Sequence, residues 1–179
     1  MEGNITPHFT WKEILASGTA DKLVAEGKLT REQTLPNEEQ QKNIIYLFEN
    51  VIEPIRVAYG KPMRIHSTFR ALSVNTIIGG SKNSDHMCAG GRAACDLEPV
   101  DDSLAEDFSI WLWKNLKNYP IRQTIWEFPD ANGKCQWQHI ASDRLDPTPD
   151  YSLLIAVKEG GITVYKPMTE QVMKKYNIG

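Results

Sequence analysis

Two histidines and an aspartate in this chain have the side-chain types and settings to hold a metal ion. His86 closes a polar stretch, residues 81–86. Asp96 lies in a short apolar run, 93–97, and His139 lies in another strand-like piece, 137–141. Two imidazoles and one carboxylate that leave a fourth position open are the donor set of a catalytic zinc site. Spacing alone does not single them out, since a lone histidine is more often a surface or core residue than a ligand. Cys88, close to His86, is either a bystander or an alternative soft ligand, and Cys95 reads as a small buried core residue.

Such a centre needs a base and an anchor. Glu127, flanked by Ile125, Trp126 and Phe128, is either a general base or a solvated glutamate at a strand end. Arg70 follows a strand-like run. It is a candidate to clamp a substrate carboxylate or stabilise an oxyanion, the alternative being a surface arginine paired with an acid. Ser84 and Asp85 are placed to orient His86, to touch substrate, or simply to form a turn. His8 and His66 read as structural, with a peripheral role open to His66. Trp126 and Trp137 suit core packing, with a cleft wall as the other option.

The elements that must position these groups follow from hydrophobic periodicity and punctuation. A short helix over 9–17 has Thr10 as N-cap and Glu13 completing a capping box. A long helix over 38–59 starts at Asn37 and carries an apolar stripe from Ile44 to Ile55. Pro54 should kink it or split it in two, and Gly60 end it. A strand is expected over 63–67, a short helix over 73–78, and a helix over 104–117 with Ser103 as cap and Glu106 as its box partner. Strands over 121–128 and 137–141 flank a turn containing Asn132-Gly133, and pairing them brings Glu127 towards His139. After a Pro/Asp-rich connector, 143–150, come a second hairpin over 153–165 and a terminal helix over 169–176. Helices early and strands late favour an α+β domain with a small antiparallel sheet and packed helices. The domain reading is 1–142 as one unit, with a C-terminal extension, 143–179, packed on it as a hairpin and short helix.

At 179 residues the chain is long enough for a sizeable core, and its net charge of −3 gives no electrostatic case for nucleic acid. No apolar run approaches the ~18–20 residues of a membrane span. The start of the sequence lacks a basic region followed by an apolar stretch, so no signal peptide is expected. Three cysteines without CxxC pairing fit reduced thiols.

Several segments, taken together, resemble a known family. They are His8-Phe-Thr-Trp-Lys-Glu-Ile-Leu, Glu49-Asn-Val-Ile-Glu-Pro-Ile-Arg, Met63-Arg-Ile-His-Ser-Thr-Phe-Arg70, Val74 to His86, Ala94-Cys-Asp96, Gln123-Thr-Ile-Trp-Glu127-Phe and Trp137-Gln-His139-Ile-Ala. In this order, over roughly residues 8–142, they are similar to the zinc D-Ala-D-Ala carboxypeptidase and L-Ala-D-Glu endopeptidase family, especially its phage-encoded type. The resemblance implies a Hedgehog/DD-peptidase fold and Zn2+ on His86, Asp96 and His139. It implies Glu127 as the catalytic carboxylate, Arg70 as the substrate or transition-state arginine, and Ser84 as the serine two before the first ligand. It also implies peptidoglycan stem peptides as substrate and an endolysin-like role in phage lysis or wall penetration. The protein would then be made in the cytoplasm of an infected bacterium and act on the wall after release or within a virion.

One departure stands out. The family usually places about six residues between the first histidine and the aspartate, whereas nine, Met87 to Cys95, intervene here. Three extra residues must bulge within 88–92, where Gly90-Gly91 makes positive φ inexpensive. His66-Ser-Thr-Phe beside Arg70 is a second, milder change. The alternative function is a non-catalytic phage structural or wall-binding module that keeps the fold, with 143–179 as a contact for a phage structural partner.

Overall fold

The computed structural model describes residues 1–135, 137–147 and 152–178. A two-stranded ribbon, β1 (Asn4–Thr6) and β2 (Phe9–Thr10), leads into the short helix α1 (Trp11–Ile14). Thr10 and Glu13 close a reciprocal capping box there. Helix α2 (Gly18–Ala25) follows, capped by Ser17. Asn37 caps α3 (Glu38–Leu47) with a second box through Gln40.

The long helix is divided just before Pro54, the second of the two outcomes expected there. Phe48–Ile52 form a π-helical turn between α3 and α4 (Glu53–Tyr59). Pro54 has no N–H to donate back along the ladder, and the wider turn just before it absorbs the missing bond. The apolar stripe is kept: Ile44, Leu47, Phe48, Val51, Ile52 and Ile55 are all fully buried. Gly60 ends α4 in the left-handed region at φ 74°.

Strand β3 (Met63–Ser67), helix α5 (Leu72–Ile77), strand β4 (Arg92–Pro99) and helix α6 (Ala105–Asn115) come next. Ser103 does not cap α6. It lies in a 3-10 turn, and the Asp101 carboxylate takes hydrogen bonds from both its amide and its hydroxyl. Strands β5 (Gln123–Glu127), β6 (Trp137–Asp143), β7 (Ser152–Glu159) and β8 (Ile162–Pro167), then helix α7 (Glu170–Lys175), complete the chain. Part of the expected connector, 148–150, lies outside the described residues.

The main sheet has six strands in the order β3-β4-β6-β5-β7-β8. The α+β class with packed helices is as expected, but one pairing is not antiparallel. After β6 the chain reverses and runs along the free edge of β5 in the same direction, so β5 and β7 are parallel. Side chains alternate across the sheet. Ala93, Cys95, Leu97 and Ile140 face the helices and join Ile44, Phe108 and Leu112 in the main core. Trp126, Ile155 and Val157 build a smaller cluster with residues of α6 and α7. The opposite face carries the polar positions.

The long connection between His86 and β4 bulges away from that polar face. Cys88, Gly90 and Gly91 have positive φ of 53°, 62° and 84°. A Cβ on Gly91 would lie 2.6 Å from the Leu145 side chain, so the close approach itself requires glycine. Helix α3 clamps the loop. Gln40 donates to the Met87 carbonyl, Asn43 to the Cys88 carbonyl at 2.9 Å, and the Gly90 amide donates to Glu39. Asn43 in turn accepts from Arg144 Nε at 2.9 Å. Because Asn43 is fully buried, Asn43→Ala strands both partners and should cost about 1–3 kcal/mol. Denaturant unfolding of the metal-free chain checks this; an unchanged midpoint would show that the clamp contributes nothing.

Candidate metal centre and substrate cleft

The polar face of the sheet is built in register rows. Asp96 of β4 stands opposite His139 of β6, and His139 stands opposite Ile125 of β5. Ile125 pairs in turn with Leu154 of β7. In the next row Trp137 pairs with Glu127, Glu127 with Ala156, and Ala156 with Tyr165 of β8. A strand register fixed by burial of the helical face therefore also fixes which polar side chains meet.

His86 reaches this face from a 3-10 turn, Asp85–Met87. Two reciprocal bonds lock the turn to the loop after β3. The His86 ring donates from Nδ1 to the Thr68 carbonyl at 2.9 Å, and the Arg70 amide donates to the His86 carbonyl at 2.8 Å. A carbonyl can only accept, so Nδ1 carries the proton and Nε2 is left as a donor atom for a metal. Nε2 points at Asp96 Oδ1, 3.2 Å away, while His139 Nδ1 lies 2.9 Å from the same oxygen. The neighbouring Asp85 carboxylate is buried and paired with Arg122 and, at 3.5 Å, with Arg92. That pairing holds the turn in place.

Among the described residues, His86, Asp96 and His139 are the group whose donor atoms converge, all within 4.8 Å of one another. Tetrahedral donors at ~2.0–2.1 Å from zinc stand about 3.3 Å apart, so the contacts to Asp96 are close to what one ion would require. The donor chemistry fits as well: two neutral imidazole nitrogens and a carboxylate, each less than a tenth exposed. Burial would raise the Asp96 carboxyl, but His86 and His139 reverse this and hold it well below the usual carboxylate range. Burial also opposes a charged His86 ring, and Asp96 outweighs it, raising the imidazole above its ordinary value.

The cleft around this group has a volume of about 620 Å³ and is lined by Arg70, Ser84, Glu127 and Trp137 as well as the three donors. The structure therefore brings together every site residue expected from the sequence. Glu127 is partly buried, diagonal to His139 across the β5–β6 pair. Burial, reinforced by the negative Asp96, raises its carboxyl above the ordinary range, and His139 and His86 pull it part of the way back. That is the direction a proton acceptor working near neutral pH needs.

Cys88 is excluded as an alternative ligand. It is fully buried on the helical side, its Sγ 3.5 Å from the His86 carbonyl, and burial pushes its thiol up to about 12. All three cysteines are free thiols. His8 pairs with Glu53 away from the cleft. His66 bonds Glu98 at 2.6 Å and lies against the Trp137 ring, beside the centre rather than in it. Trp126 is core, whereas Trp137 is cleft wall.

Sequence reasoning missed Gln123, Leu154 and Tyr165, which also line the cleft. The alternation of the last hairpin offered a signal for Tyr165, but only the parallel β5–β7 pairing brings that hairpin beside Glu127. The Arg92 and Arg122 partners of Asp85 carry no local signal.

A family model described as Peptidase M15 matches residues 8–123. No curated protein matches the chain.

Removing a donor leaves two, so Asp96→Ala and His139→Ala should each weaken zinc binding at least ~100-fold in a chelator competition assay. Proton and metal compete for His86 Nε2, so affinity should rise as pH climbs through the raised His86 titration. Affinity independent of pH and of both substitutions would place the metal elsewhere.

Proposed function

This chain belongs to the Peptidase M15 family, whose members are zinc-dependent metallopeptidases, and from that premise we propose that it hydrolyses peptide bonds in peptidoglycan stem peptides. The observation that carries the proposal is the convergence of His86, Asp96 and His139 in a buried group that opens onto a cleft shared with Glu127 and Arg70. The peptidoglycan substrate, and an endolysin-like role in phage lysis or wall penetration, rest on the family resemblance of the motifs around these residues. The protein would act on the wall after synthesis in the cytoplasm.

His86 Nε2, Asp96 Oδ1 and His139 Nδ1 would hold the zinc. Bound there, zinc supplies a Lewis acid that polarises a carbonyl and lowers the pKa of water to ~7. Glu127, partly buried and raised in pKa, takes the proton from the attacking water and passes it to the departing amine. Arg70, tied through its amide to the His86 carbonyl, presents its guanidinium to the oxygen on which charge develops or to a substrate carboxylate. Ser84, on the same wall, offers a hydroxyl to the substrate backbone. Leu154 and Tyr165 wall the same cleft. The proposal therefore treats the 143–179 extension as part of one catalytic unit with 1–142.

The test pairs metal content with turnover. The zinc-loaded chain should release peptides from purified sacculi and stop when a chelator removes the metal. Glu127→Gln should keep its zinc and lose about 10²–10⁴ in kcat. Sacculi bound without any release would favour a wall-binding module instead, and unchanged turnover in the variant would remove Glu127 from its role.

A further inference from the structure

One row of side chains on the open face of the sheet runs from the candidate base to the C-terminal hairpin. Trp137 of β6, Glu127 of β5, Ala156 of β7 and Tyr165 of β8 are register partners in that order. All four therefore point to the cleft side. Their chain neighbours Trp126, Ile155, Val157 and Val164 face the other way and belong to the smaller apolar cluster. Two inter-strand steps put the Glu127 and Tyr165 backbones about 10 Å apart. Only the Ala156 methyl stands between them in the row, and it is fully buried although it faces the cleft. The larger side chains of the row close over it. Tyr165 lines the same cleft as Glu127, Asp96 and Arg70.

Tyr165 is 55 % exposed, yet its phenol is not simply turned to solvent. Partial burial and the negative Glu127 and Asp96 raise it above its ordinary value, and Arg70 pulls it part of the way back. The hydroxyl thus lies in the field of the candidate base, a metal donor and the anchoring arginine. It keeps its proton near neutral pH and has no hydrogen-bond partner among the described residues. A phenol with a free O–H can donate to a carbonyl oxygen. Of the residues described in 143–179, Leu154 and Tyr165 line this cleft, and only Tyr165 has a side chain able to hydrogen-bond. We propose that Tyr165 is a substrate-contacting residue whose hydroxyl donates to a peptide oxygen next to the scissile bond, which makes the C-terminal hairpin part of the binding machinery. Strand β8 is three steps from β6, which carries His139. The hydroxyl is therefore placed for the neighbouring peptide unit and not for the carbonyl at the metal. A contact to a non-reacting oxygen is made equally to substrate and transition state, so it acts on binding.

The inference rests on the peptidase reading, and the experiment separates the two. The zinc-loaded full chain is incubated with a synthetic stem pentapeptide, and the cut is located by mass spectrometry. No hydrolysis by the wild-type chain would overturn the peptidase reading and, with it, the role of Tyr165. Tyr165→Phe keeps the ring and removes the donor, and at an exposed position on an edge strand it leaves the fold and the zinc affinity as they are. This variant should raise KM about tenfold with kcat within about twofold, and weaken calorimetric binding of the uncut peptide to a Glu127→Gln background by about the same factor as KM. The acceptor is identified by replacing each amide next to the cut bond in turn with a thioamide, a weaker acceptor. One replacement should cost the wild-type chain about tenfold in KM and cost Tyr165→Phe nothing further. Unchanged KM and binding in Tyr165→Phe, or equal losses in both chains for every thioamide, would overturn the assignment and leave the peptidase intact.

Discussion

A carboxylate withdrawn from water is tolerated only where opposite charge or hydrogen-bond donors meet it. Asp96 is 7 % exposed and lies between two imidazole rings, and the rest of the site depends on that compensation. Both imidazole rings lie against it, and a metal cation held at the same point would balance its charge. The fold need only deliver three side chains to one point, and two of them come directly from strand register. The third, His86, comes from a turn pinned by the Thr68 carbonyl, the Arg70 amide and the Asp85 ion pairs.

This arrangement explains why the longer connection between His86 and Asp96 leaves the centre intact. A strand position is insensitive to what precedes it once pairing is set, and Asp96 is held by Ser67 on one side and His139 on the other. The extra length is taken up in left-handed turns at Cys88, Gly90 and Gly91 and absorbed against α3 by Gln40 and Asn43. None of the residues from Met87 to Cys95 lines the cleft.

Much of this was legible in the sequence because it rests on local signals. Capping residues at Thr10 and Asn37, the apolar stripe of Ile44 to Ile55, and the Asn132-Gly133 turn between β5 and β6 each follow from short-range chemistry. The site residues followed from their types and from the surrounding motifs. What could not be read is non-local. The parallel pairing of β7 with β5 has no local signature, so Leu154 and Tyr165 were not placed in the cleft. The π-turn before Pro54 and the capture of Ser103 by Asp101 are local, but each is one of several ways to satisfy the same backbone groups. Asp85 read as a simple turn former was equally plausible until Arg122 and Arg92 arrived from distant parts of the chain.

The most direct test of the account is crystallographic: zinc-edge anomalous diffraction from crystals of the zinc-loaded protein. The account predicts one anomalous peak, with His86 Nε2, Asp96 Oδ1 and His139 Nδ1 each within ~2.0–2.2 Å and a fourth position facing Glu127. No peak at these three residues under saturating zinc, or a peak held by other side chains, would contradict it.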